Sequence, residues 1–202
     1  MASGSTDWTT SGRGAWEQPA TRWRTRDIVV AAIIGVAFGV VFAVWNGTWT
    51  AAEPLFAFLP PARNLIYGVW LVPAVLAPLI VRRPGAALFA EMVAAGVSAL
   101  LGSQWGADTV LSGFVQGAAA ELIFAFTLYR GYSLPVLVVA SLASAAAAWT
   151  HDWVVWYPTV DTGTQLEVGA FMAVSAIVIT GFGSLALARA LRQAGVLEGF
   201  PS

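Results

Sequence analysis

Cysteine and lysine are absent from these 202 residues, and histidine occurs once. Without cysteine there is no disulfide, thiolate-bound zinc or iron–sulfur cluster. A single His, His151, cannot build a multi-histidine metal site. Without lysine there is no P-loop, whose Lys reaches the β- and γ-phosphates. Any ATP hydrolysis coupled to this chain therefore falls to another subunit. Neither H-E-x-x-H nor G-x-S-x-G occurs, which leaves little machinery for an intramembrane enzyme. No catalysis, cofactor, metal or nucleic-acid partner is expected. Charge is scarce as well: charged residues make up 10% of the chain, where soluble proteins carry roughly 25%.

What fills the chain instead is apolar, at 58% of residues. A membrane span needs about 20 mostly apolar residues. Such runs predict an all-α polytopic membrane protein with six transmembrane helices, near 27–45, 64–81, 84–102, 109–129, 134–156 and 167–190. Residues 1–21, rich in Ser, Thr and Gly, lack the apolar core of a signal peptide and read as a disordered cytoplasmic tail. Residues 22–192 form the membrane domain and 193–202 a short cytoplasmic tail. Within the first loop, Pro54–Pro61 is apolar but too short to span, as expected of an interfacial or re-entrant segment.

The ten Arg decide orientation. Arg13, Arg22, Arg24 and Arg26 precede the first helix; Arg82 and Arg83 lie between the second and third. Arg130 lies between the fourth and fifth, and Arg189 and Arg192 close the sixth. Arg63 alone falls on the other side, where Glu53, Asp108, Asp152, Asp161 and Glu167 collect. Positive residues stay cytoplasmic, so both termini are expected inside.

Polar groups within such helices are costly and commonly mark sites. Two carboxylates qualify, Glu91 and Glu121. By helix rise they lie roughly 10 Å and 13 Å from the cytoplasmic ends of their helices, so a shared environment is open to them. Each could be protonated or hydrogen-bonded between helices, or contact a ligand. Gly113, Gly117 and Glu121 share one face at four-residue spacing, which leaves room above Glu121 for something to enter. The outer ends of the helices collect Trp45, Asn46, Trp49, Gln104, Trp105, Gln116, His151 and Trp156. An aromatic belt accounts for some of the rings, but not for the interleaved Asn, Gln, His and acids. Flat rings with amide donors and acceptors suit a planar heteroaromatic ligand. His151 either contacts that ligand or is held by water or a hydrogen bond. Ala31, Gly35 and Gly39, at four-residue spacing, admit close approach of another helix, within this chain or outside it.

Several segments carry a resemblance: Trp23–Val30 leading into the first helix, Arg83–Leu88, Gly102–Gly106 and Gln116–Leu122. With the six-helix pattern they resemble the YkoE family of S components, the substrate-binding subunits of energy-coupling-factor (ECF) vitamin transporters. The resemblance spans roughly residues 22–190. It implies a plasma-membrane subunit that binds a small vitamin or precursor at the outer side. The family pattern implies thiamine or its hydroxymethylpyrimidine precursor, docking on a transmembrane T component and an ABC ATPase pair acting in trans. On that pattern Ala31, Gly35 and Gly39 would be the docking stripe. The competing expectation is an autonomous proton-coupled carrier using Glu91 and Glu121 as a relay, against which no inverted repeat is visible.

Overall fold

The computed structural model describes residues 22–200, and the expected tail at 1–21 lies outside the described residues. The described chain is helical throughout. Its helices are α1 (Thr25–Ala51), α2 (Pro60–Val81), α3 (Ala86–Leu100), α4 (Asp108–Phe126), α5 (Leu134–Val155) and α6 (Thr162–Gln193). Five of them are long and apolar enough to cross a membrane. The exception is α3, whose 15 residues rise about 22 Å, short of the roughly 30 Å hydrocarbon core. It is shorter than the run at 84–102 because Leu101 and Gly102 leave the helix, Gly102 with φ +92°.

Two further departures from the expected boundaries matter for function. Helix α1 continues through Asn46 and Trp49 to Ala51, so these residues sit on a helix and not in a loop. After a short 3-10 turn at Glu53–Phe56, α2 begins at Pro60, and its first 12 residues, Pro60–Leu71, are wound as 3-10 helix. The apolar run at Pro54–Pro61 therefore becomes a turn and a helix start. Leu55 and Phe58 within it are 73% and 83% exposed, the surface expected of a segment lying in an interface.

Helix α2 is the centre of the bundle: every residue from Val72 to Val81 is buried. The other helices turn apolar residues outward. On α1, Ile33, Val40 and Val44 are 60%, 51% and 67% exposed, while Asp27 and Asn46 face inward. Branched aliphatics outside with polar groups inside is the arrangement that hydrocarbon stabilises.

Close approach is bought by glycine at a few places. A Cβ on Gly35 would stand 2.7 Å from Val93 Cβ, and one on Gly39 2.5 Å from Val97 Cβ. The stripe of Ala31, Gly35 and Gly39 is thus buried under α3 of the same chain. That corrects its expected role as a docking surface, because no second chain can reach it. Gly68 brings α2 against α6, where a Cβ would meet the Ser175 carbonyl at 2.6 Å. Its N–H donates to Ser175 Oγ at 2.8 Å, and Thr180 Oγ1 donates to its carbonyl at 2.8 Å. The α6 partner of this contact adjoins and enters a π-wound stretch, Ala176–Phe182.

At the Arg-rich end, Asp27 accepts from Arg24 N at 3.0 Å and from Arg83 Nε at 2.7 Å. Trp23 Nε1 donates to Pro84 O at 2.9 Å. The Arg26 guanidinium sits 5.1 Å from the Phe200 ring centroid, and Leu197 is buried. The described part of the C-terminal segment therefore packs back on the bundle.

Candidate functional site

The opposite end of the bundle opens into a cavity of about 230 Å³, a little below the roughly 300–1,000 Å³ of drug-sized pockets and so suited to a small ligand. Four rings form one wall. Trp70 of α2 stands edge-on to Trp49 and Tyr67 at 5.1 Å and to Trp105 at 5.5 Å between centroids. Gly68, by seating α2 on α6, fixes the turn that carries Tyr67 and Trp70. Asn46 orients Trp70: its Oδ1 accepts the indole N–H at 3.1 Å, and its Nδ2 donates to Ser98 Oγ at 3.3 Å. Indole can only donate, so the amide oxygen must face it.

Polar residues of α4 run from mouth to floor. Asp108, Thr109, Ser112 and Gln116 all line the cavity, and eight residues of helix give it a depth of about 12 Å. Gln116 Nε2 donates to Ser112 Oγ at 2.6 Å and to Tyr67 OH at 3.4 Å. Tyr67 in turn donates to Asp152 Oδ2 at 2.9 Å. Its floor is closed by Glu91, whose Oε2 accepts the Ala74 N–H at 3.0 Å.

The mouth is acidic and aromatic. Trp156 Nε1 donates to Asp108 Oδ2 at 2.8 Å. His151 stands between the two acids, Nε2 3.3 Å from Asp108 Oδ1 and Nδ1 3.1 Å from Asp152 Oδ1. Arg63 stacks 4.4 Å from the Trp49 ring centroid and pairs with Glu53 at 3.1 Å. Across the opening, burial pushes the Tyr157 phenol above its ordinary range, with Arg63 opposing, so it stays a neutral donor at physiological pH. Asp161 caps α6, accepting from Thr164 N at 3.0 Å, and those bonds hold its carboxyl below the usual range.

Of the nine residues expected to bind ligand, the cavity wall takes in Asn46, Trp49, Trp105, Gln116 and Trp156. The other four are placed elsewhere. Trp45 donates to Ile66 O at 3.0 Å, bracing α1 on α2. Gln104 is exposed and accepts from Thr50 Oγ1 at 3.0 Å. His151 sits behind the wall, hydrogen-bonded through Nδ1 to Asp152, with Nε2 3.3 Å from Asp108. Glu121 corrects the expectation most sharply. Its carboxylate accepts from the N–H groups of Gly85 and Ala87, capping the start of α3 near the Arg-rich end. The space made by Gly113 and Gly117 is filled by α3, since their added Cβ atoms would lie 2.5 Å from Ala95 Cβ and 2.9 Å from Glu91 Cβ. Glu91 and Glu121 hold separate backbone groups, so the geometry links them in no relay.

Several wall residues were not singled out beforehand: Tyr67, Trp70, Trp149, Asn64 and Gln165. Tyr67 and Trp70 hide in an apolar run, although a polar ring every third residue on a central helix is a readable signal.

A buried, ring-lined cavity at one end of a lipid-facing bundle defines a membrane protein that holds a small molecule. Comparison with known proteins makes the class specific. Residues 26–147 match the family model described as ABC-type cobalt transport system, permease component. A solved structure, the crystal structure of an S-component of an ECF transporter, superposes with a TM-score of 0.83 at 34% identity. The match covers 88% of this chain and 90% of that one. YkoE of Bacillus subtilis (strain 168), provisionally named an HMP/thiamine permease protein, is 34% identical over 178 residues, 88% of each chain. The chain belongs to the YkoE family of ECF-transporter S components, the substrate-binding membrane subunits of these importers. Among the described residues no three His, Cys, Asp or Glu side chains form a group able to hold a metal ion.

Proposed function

We propose that this S component binds thiamine or its hydroxymethylpyrimidine precursor (HMP) in the cavity beside Trp70. The observation that carries the reading is the wall itself: Trp49, Tyr67 and Trp105 packed edge-on around Trp70, beside Asn46, Gln116 and Glu91. Planar rings supply stacking faces, and the Gln116 side-chain carbonyl and the Glu91 carboxyl supply directional bonds for a heteroaromatic ring. The name of the Bacillus relative supports this ligand class.

The cavity faces outward and both termini face the cytoplasm, as the positive-inside distribution of Arg favours. Transport energy comes from a T component and an ATPase pair in trans, consistent with a lysine-free chain. With Ala31, Gly35 and Gly39 covered, docking falls to the exposed side of α1 that carries Val36, Val40 and Val44. Titrating purified protein with thiamine and with HMP should quench Trp fluorescence saturably; no response to either ligand removes the substrate assignment. Failure to co-purify with any T component and ATPase pair would remove the assignment of partners.

A further inference from the structure

Glu91 lines the cavity floor and is 1% exposed. Its two oxygens are unequal. Oε2 accepts the Ala74 N–H at 3.0 Å, whereas Oε1 is buried with no hydrogen-bond partner. A buried carboxylate oxygen left unsatisfied is costly, and native proteins seldom keep one without a use. The neighbouring polar groups are already committed. Gln116 Nε2 serves Ser112 and Tyr67, Ser98 serves Asn46, and Asn46 serves Trp70. The glycine contacts hold the carboxylate in place, because Gly117 admits the Glu91 side chain where any Cβ would stand 2.9 Å from its own Cβ.

We propose that Glu91 Oε1 is the acceptor for the exocyclic amine of the ligand's pyrimidine ring, and that this bond selects aminopyrimidines over rings lacking the amine. The inference rests on the ligand class proposed above. It assigns an orientation: the aminopyrimidine goes to the floor between Glu91 and Gln116, and any substituent on the ring points to the mouth at Asp108 and Trp156.

The test compares HMP with the same pyrimidine lacking the 4-amino group, two uncharged ligands, on purified full-length protein. Wild type should bind HMP roughly 10-fold more tightly, the scale of one buried hydrogen bond. Glu91→Gln inverts the chemistry at one atom. Its carbonyl must take the Ala74 N–H, which leaves its NH2 where Oε1 stood, donor against donor. The preference should then fall to within about 3-fold, chiefly through weaker HMP binding. Glu91→Asp, which withdraws the oxygen by one methylene, gives the same ratio readout should the Gln variant fail to fold. A purely structural Glu91 would weaken both ligands alike, and an unchanged ratio in the variants overturns the proposal. Equal binding of both ligands by wild type overturns it too, while leaving the substrate class standing. No binding of thiamine or HMP to wild type removes both.

Discussion

The two ends of this bundle use similar residues for opposite ends. At the Arg-rich end, acids are consumed locally: Asp27 by Arg83 and the Arg24 N–H, Glu121 by two N–H groups at the start of α3. At the Trp-rich end, indoles, amides and acids bond to one another around an open space and leave one carboxylate oxygen over. Paired charges at the first end fasten helix termini that face water and headgroups. At the second, a partial set of bonds positions rings for a guest. A polar residue in a membrane helix is thus informative only once its partners are known.

The largest expected effect comes from breaking the hub of the cavity. Trp70→Ala removes three ring contacts and the Asn46 bond, and should cost about 3–5 kcal/mol of stability together with ligand quenching. Thermal unfolding in detergent and fluorescence titration read both; an unaltered titration would show that the rings are packing alone. At the other end, Asp27→Ala removes the buried acceptor shared by Arg83 Nε and the Arg24 N–H, and about 2 kcal/mol of stability should be lost. Ligand affinity should hold within about 2-fold, since the cost of a broken buried pair is local. A large loss of affinity would mean the ends are coupled.

Gln116→Leu removes a polar group from the wall with little change in volume. Affinity should drop about 10-fold, the worth of one bond, with a small shift in unfolding temperature. Glu121→Gln should have the smallest effect on ligand. It weakens the α3 cap by about 1 kcal/mol and leaves the dissociation constant unchanged. If Glu121→Gln weakened binding more than Gln116→Leu, the division of labour drawn here would be reversed.

Much of the fold was legible in the sequence, because hydropathy and Arg placement act residue by residue along the chain. Helix positions were read within several residues, and the polar-aromatic end was recognised from Asn46, Trp49, Trp105, Gln116 and Trp156. Boundaries moved where local chemistry intervened, as at Gly102, or where a helix outran its apolar stretch, as at the end of α1. Tyr67 and Trp70 escaped notice because an apolar run announces burial and conceals which rings border a cavity.

Glu91 and Glu121 show where sequence reading stops. They sit at similar depth on neighbouring helices, with small residues nearby, and nothing in their spacing separates them. Packing does. Glycines 113 and 117 draw α3 against α4, so Glu91 is pressed to the cavity floor while Glu121 reaches back to the free N–H groups at the start of α3. By itself the sequence determined a lipid-embedded helical protein with an Arg-rich end and an aromatic end, since transfer into hydrocarbon is a property of each segment. Only the tertiary structure decided which carboxylate borders the cavity and which glycines are filled from within, because those depend on helix contacts between residues far apart in the chain.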